Sequence, residues 1–113
     1  MVARLHSQRG ARTIFIAFPP NSEARVVRAH GVPMTTPARS IGATGWSYAT
    51  FYAVPDEGVE LELACGVGPS TLTVLDQTSG VPPSAASVVA ARPGSSVPTQ
   101  DGDVTIVTSV VRL

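Results

Sequence analysis

Lysine is absent from this 113-residue chain, cysteine occurs once, and the longest stretch free of both proline and glycine is Asp103 to Leu113. An ordinary helix runs to about 11–12 residues, so such frequent punctuation leaves room mainly for short strands and turns. With Cys65 alone, no disulfide forms within the chain, and stability rests on packing and hydrogen bonds. Nothing approaches the ~20 apolar residues of a membrane span. The apolar run Thr13 to Pro20 follows Arg4, Arg9 and Arg12, but it is too short for a signal peptide and ends in Pro-Pro. Asn21 precedes Ser22-Glu23 and makes no glycosylation sequon. The basic residues are all arginine, scattered at 4, 9, 12, 25, 28, 39, 92 and 112, and they balance the acidic ones to a net charge of zero. No basic stripe exists to neutralise phosphates, so nucleic acid is not an expected partner. Charged residues make up only 14% of the chain, which points to a surface partly covered by another domain or subunit.

What is present is strand patterning. The length and 43% hydrophobic content fit one domain spanning residues 1–113. Val2 to Ser7 and Ala11 to Phe18 read as two strands joined in a hairpin at Arg9-Gly10, with Ile14, Ile16 and Phe18 on one face. Ser22 to Val32 is a weaker strand, because Val26 and Val27 are adjacent, and a loop follows from Pro33 to Gly45. Trp46 to Val54 concentrates the aromatic residues, as a central strand packed on both faces would. Pro55-Asp56-Glu57-Gly58 is a turn signal, with proline preset for the first corner and glycine free to take a positive φ. In the strand that follows, Val59, Leu61, Leu63 and Cys65 alternate with Glu60, Glu62 and Ala64, one face inward and one in water. The expectation is a hairpin between these two strands, extended to a meander by Ser70 to Leu75, with Leu72 and Val74 inward. Ser79 to Gln100 reads as an excursion crossing the domain, with a helical turn or an edge strand at Ala85 to Ala91. Asp103 to Leu113 closes the chain, and its apolar residues change face near Val107, where a bulge is expected. The fold class is all-β: an antiparallel sandwich of about 7–8 short strands, jelly-roll or immunoglobulin-like, with a barrel as second choice.

The candidate catalytic groups are sparse. His6 and His30 with one cysteine cannot build a His/Cys zinc site, and neither sits in a paired metal-ligand spacing. A carboxylate-rich site would have to join His30 with Glu23 or Asp56, against the plainer reading of both histidines as surface strand residues. Cys65, in phase with Val59, Leu61 and Leu63, reads as a buried apolar residue and not as a nucleophile. Gly45-Trp46-Ser47 and Gly68-Pro69-Ser70 lack the second glycine of a nucleophile elbow. Gly66-Val67-Gly68 leads into Pro69 and a strand, where a phosphate loop would need a helix. Glu60 and Glu62 share a strand face as paired carboxylates would, or as the solvated side of an amphipathic strand does. Trp46, Tyr48 and Tyr52 form the one candidate ligand surface, an aromatic platform for a sugar, in competition with the needs of the core. No catalytic, metal or cofactor residue is assigned.

Several segments occur in a recognisable order. Ser7-Gln8-Arg9-Gly10-Ala11-Arg12 precedes a strand, and Trp46 to Tyr52 is followed by Pro55 to Gly58 and Val59-Glu60-Leu61-Glu62-Leu63. Asp76 to Pro82, Ala91-Arg92-Pro93 and Asp101 to Val107 come after them. From about Ser7 to Leu113 the chain resembles the carboxy-terminal domain of membrane-anchored zinc exopeptidases. These are similar to the endoplasmic reticulum metallopeptidases, in the broad group of bacterial leucyl aminopeptidases and glutamate carboxypeptidase II. The resemblance implies a C-terminal fragment of a larger protein, a β-rich domain on the extracytoplasmic side of a bacterial membrane, with Met1 either native or an added start. It implies no zinc ligand or catalytic carboxylate here, since no position matches one. The expected role is a non-catalytic accessory or interaction domain, with a peptidase domain as partner and no cofactor. The alternatives are a free-standing carbohydrate- or protein-binding module and, behind it, a small hydrolase. A homodimer through an edge strand, Val2 to Ser7 or Asp103 to Leu113, is the further partner expected, because uncovered edges are adhesive.

Overall fold

Two antiparallel sheets face each other, and the chain alternates between them more often than turn chemistry alone implies. The computed structural model describes residues 1–34, 39–40, 44–97 and 102–113. Its strands are β1 (Val2–Leu5), β2 (Thr13–Phe18), β3 (Arg25–Ala29), β4 (Val32–Pro33), β5 (Arg39–Ser40), β6 (Ser47–Phe51), β7 (Val59–Ala64), β8 (Thr71–Ser79) and β9 (Val104–Arg112). One sheet has the order β1-β7-β3-β4, the other β5-β6-β2-β8-β9. Neither closes on itself, so the architecture is the all-β sandwich expected and not a barrel.

Alternation fixes the faces. In β2, Ile14, Ile16 and Phe18 are buried, and they meet Ala49 and Phe51 of β6 and Leu72 of β8 on the same inner surface. From the opposite sheet Leu5, Val26, Val59, Leu61 and Leu63 complete the core. Ile14, Ile16 and Leu61 are essentially sealed from water. Each such side chain contributes roughly 1.5–3 kcal/mol of transfer free energy.

Neither expected hairpin forms. β1 pairs with β7, and β2 pairs with β6 and β8, so residues between Leu5 and Thr13 cross from one sheet to the other. β6 and β7 likewise lie in opposite sheets, which removes the three-strand meander. The Val54 amide donates to the Arg12 carbonyl at 3.0 Å, extending the β6–β2 contact before the chain crosses over. The Gly58 amide then donates to the Pro55 carbonyl at 2.9 Å, so Asp56 and Glu57 form the corners of the turn and proline precedes them. Sheets pack ~10 Å apart, and both crossings place inward residues face to face instead of side by side.

The bulge also falls elsewhere. β9 pairs with β8 without interruption from Val104↔Ser79 to Arg112↔Thr71. The register shift lies between Val26 and Arg28 of β3, opposite Leu63 and Glu62 of β7. That extra residue explains the adjacent valines: Val26 points into the core, Val27 is absorbed by the bulge, and Arg28 emerges 3.6 Å from Glu62. His30 and Gly31 turn the chain into β4 with φ of 47° and 75°, the positive pair of a type I′ hairpin. The excursion after β8, described as far as residue 97, does not cross the domain. It leaves and returns between neighbouring strands, carrying a short 3-10 turn at Pro83–Ala85 and the helix α1 (Ala86–Ala90). No helix among the described residues is long and apolar enough to cross a membrane.

Candidate functional site

These connections disperse the candidate residues that the sequence offers. His6 follows β1 on one side of β7, beside the Pro55 to Gly58 turn, whereas His30 occupies the β3–β4 turn on the other side, its amide 2.8 Å from the Glu60 carbonyl. Glu23 precedes β3 while His30 follows it, a separation of roughly 20 Å along an extended chain. Glu60 and Glu62 lie on the exposed face of β7, opposite Arg4 and Val2 of β1. Cys65 does not continue the inward row: β7 ends at Ala64, the backbone leaves the pleat, and the thiol is exposed. Among the described residues no group of three or more His, Cys, Asp or Glu is placed to share a metal ion.

The three aromatic residues also separate. Tyr48 is half-buried near the start of β6, Trp46 is half-buried just before the strand, and Tyr52 stands beyond its far end with 75% of its surface exposed. Four residues of strand put Tyr48 and Tyr52 about 13 Å apart, so they do not form one platform. Tyr48 does line a groove of about 550 Å³ at the end of the sandwich where β2 finishes and β3 begins, with Phe18, Glu23, Arg25, Ser47 and Cys65. Glu23 lies across Gly66, occupying the space that a Cβ there would need.

A polar cluster that sequence reasoning missed sits at the opposite end of β2. Asp76 takes an inward position on β8, opposite Ile14 and Val107. Ser7 Oγ donates to its carboxylate at 2.7 Å, and Arg9 donates from Nε at 3.2 Å and from its terminal nitrogen at 2.5 Å. Burial of the carboxylate works to raise its pKa, but hydrogen bonds from Arg9 and Ser7 and the Arg9 charge prevail, holding it below the ordinary range. The cluster ties the β1–β2 crossing to the second sheet. A signal for it exists in the sequence: Leu72, Val74 and Asp76 are in phase, and an acid in a core row needs a partner. Arg92 pairs with Asp103 at 2.5 Å, its hydrogen bond lowering the Asp103 pKa, and so fastens the excursion to the start of β9.

Among the described residues, β9 carries a run of exposed apolar side chains. Ile106, Val107, Val110 and Val111 keep 49%, 43%, 71% and 39% of their surface exposed. Val107 and Val111 share the inner face with Asp76 and Leu72, while Ile106 and Val110 share the outer face with Gln77 and Thr73. The apolar residues that change face near Val107 therefore reflect two open faces. Compared with known proteins, the chain matches no family model, and no curated protein or solved structure matches it either.

Proposed function

We propose that the chain is a non-catalytic accessory domain that works through surface contacts, the β8–β9 hairpin being its contact surface. The observation that carries this reading is the nine-residue strand β9 with apolar side chains open on both faces. Exposed apolar surface concentrated on one element marks a place where another macromolecule binds, since isolated exposed residues need no such account. The low charge content supports the same reading. The partner that the sequence resemblance favours is the peptidase domain of a membrane-anchored metallopeptidase, on the extracytoplasmic side of a bacterial membrane.

The purified domain should neither hold zinc tightly nor release amino acids from peptide amides, and it should co-elute with the parent peptidase domain. Replacing Val107 and Val111 by glutamine should weaken co-elution severalfold. Turnover by the isolated domain, or co-elution indifferent to these two positions, sinks the reading.

A second reading, a carbohydrate- or protein-binding module, is favoured by the Tyr48 groove, whose volume falls in the ~300–1,000 Å³ range of ligand sites. Oligosaccharide binding there should shift the fluorescence of the neighbouring Trp46, and unchanged emission at saturating sugar counts against it.

A further inference from the structure

The open edge of β9 is a self-complementary strand, and we infer that it pairs with β9 of a second copy, antiparallel, with Thr108 on the two-fold axis. The inference rests on the reading of this hairpin as the contact surface, but it concerns the backbone edge and not the side-chain faces.

The available atoms follow from two hydrogen bonds. The Leu113 amide donates to the Ser70 carbonyl at 2.8 Å, and the Gly80 amide donates to the Asp103 carbonyl at 2.7 Å. Both lie in the same uninterrupted register, so odd-numbered residues from Asp103 to Leu113 direct their backbone groups toward β8. The N–H and C=O of Val104, Ile106, Thr108, Val110 and Arg112 therefore point away, along the open edge. None of these residues is proline, so every amide can donate.

An antiparallel pairing centred on Thr108 sets even residues against even residues. Val104 meets the partner's Arg112, Ile106 meets the partner's Val110, and Thr108 meets the partner's Thr108. Counting the symmetric equivalents, this gives about ten hydrogen bonds and leaves no free pairing group along the strand. Side chains match as well: Ile106 and the partner's Val110 cover each other on the outer face, and Val107 lies beside the partner's Ser109 on the inner one. Arg112, the one charge in the strand, stands opposite the partner's Val104 at both ends of the seam. With zero net charge, two copies do not repel.

The length of the strand shows why this edge is chosen. Among the described residues, β4 is two residues long and β1 is four residues long. Short edges resist pairing, whereas β9 runs over nine residues without proline or a bulge. An isologous contact of one edge with its own copy closes into a two-fold dimer and does not propagate into a fibre. Nine paired residues bury roughly 500 Å² per copy, below the ~800 Å² of a standard interface, which makes the dimer reversible and concentration-dependent.

Sedimentation of the full chain from low micromolar to near-millimolar concentration should show the mass doubling, while Thr108→Pro stays monomeric. That amide makes no bond to β8, so the variant should keep its far-ultraviolet spectrum. Register is tested by cross-linking in a Cys65→Ser background. Thr108→Cys should form a disulfide-linked dimer, because directly paired residues lie ~5.5 Å apart between Cα atoms, within disulfide reach. Ile106→Cys should react with its own counterpart at least tenfold more slowly, and Ile106→Cys mixed with Val110→Cys should cross-link as readily as Thr108→Cys. A wild-type chain that remains monomeric, or equal self-cross-linking at 106 and 108, overturns the inference. The accessory reading is judged apart, since co-elution with a peptidase domain that depends on Val107 and Val111 stands even if no dimer forms.

Discussion

Gly58 sits where two demands coincide. Its φ of +82° lies in the region that side-chain-bearing residues avoid, and a Cβ there would stand 2.6 Å from the Leu5 carbonyl oxygen and 2.8 Å from His6 Cβ. The first demand costs Gly58→Ala about 1 kcal/mol. The second cannot be met by swinging a flexible side chain aside, because the Leu5 oxygen belongs to the backbone of β1, paired with Val59, and Leu5 is buried. Relief requires the β1–β7 seam to open by several tenths of an ångström beside the core, an overpacking cost of roughly 2 kcal/mol. The sum is about 3 kcal/mol, a large part of the ~5–15 kcal/mol that holds a domain folded. Gly10→Ala is the control: its φ is +70°, but no atom lies within 4 Å of the added Cβ, so only the first cost applies. In urea titrations followed by circular dichroism, with a slope of ~1.5 kcal/mol per molar, Gly58→Ala should lower the midpoint by about 2 M and Gly10→Ala by less than 1 M. Equal shifts for the two variants would refute the assigned contact between the turn and β1.

Asp76→Asn should cost about 1.5–3 kcal/mol at pH 7, the range for hydrogen bonds to a charged group. Its carboxyl is held low in the folded state, so its contribution is complete above the unfolded value of ~3.9 and fades as pH falls through the lower folded one. Urea midpoints at pH 7 and pH 3 should therefore differ more for wild type than for the variant, and parallel losses would show that Asp76 is not the acid-sensitive group. Cys65, exposed at the end of β7, should react with a disulfide reagent in the native state at a rate close to that of the urea-unfolded chain. A thiol protected until unfolding would place it back in the core row.

Local patterning is legible wherever one face of a strand is buried. Ile14, Ile16 and Phe18, and Val59, Leu61 and Leu63, point inward as their period of two requires, and of the two readings of Ala85 to Ala91, a helical turn or an edge strand, the helical turn is the one that forms. Cys65 shows where that logic stops, since alternation gives no sign of the residue at which a strand ends. The adjacent valines at 26 and 27 carry the bulge that the apolar pattern suggests at Val107. In β9, apolar residues on both sides mimic a register slip when the actual cause is that both faces are open.

The residues themselves determined an all-β fold, because proline and glycine interrupt helices and alternating side chains can bury only one face of a sheet, while the choice of a sandwich over a barrel came from the open order of the two sheets. They also determined that no disulfide within the chain holds it together. Which strands lie side by side was decided only by the tertiary structure. A turn such as Pro55 to Gly58 reverses the chain whether the next strand pairs with the last one or faces it across the core, and alternation is identical in both cases. The choice depends on long-range packing of Val54, Val59 and Leu5, and with it come the Ser7–Arg9–Asp76 tie and the open edge of β9.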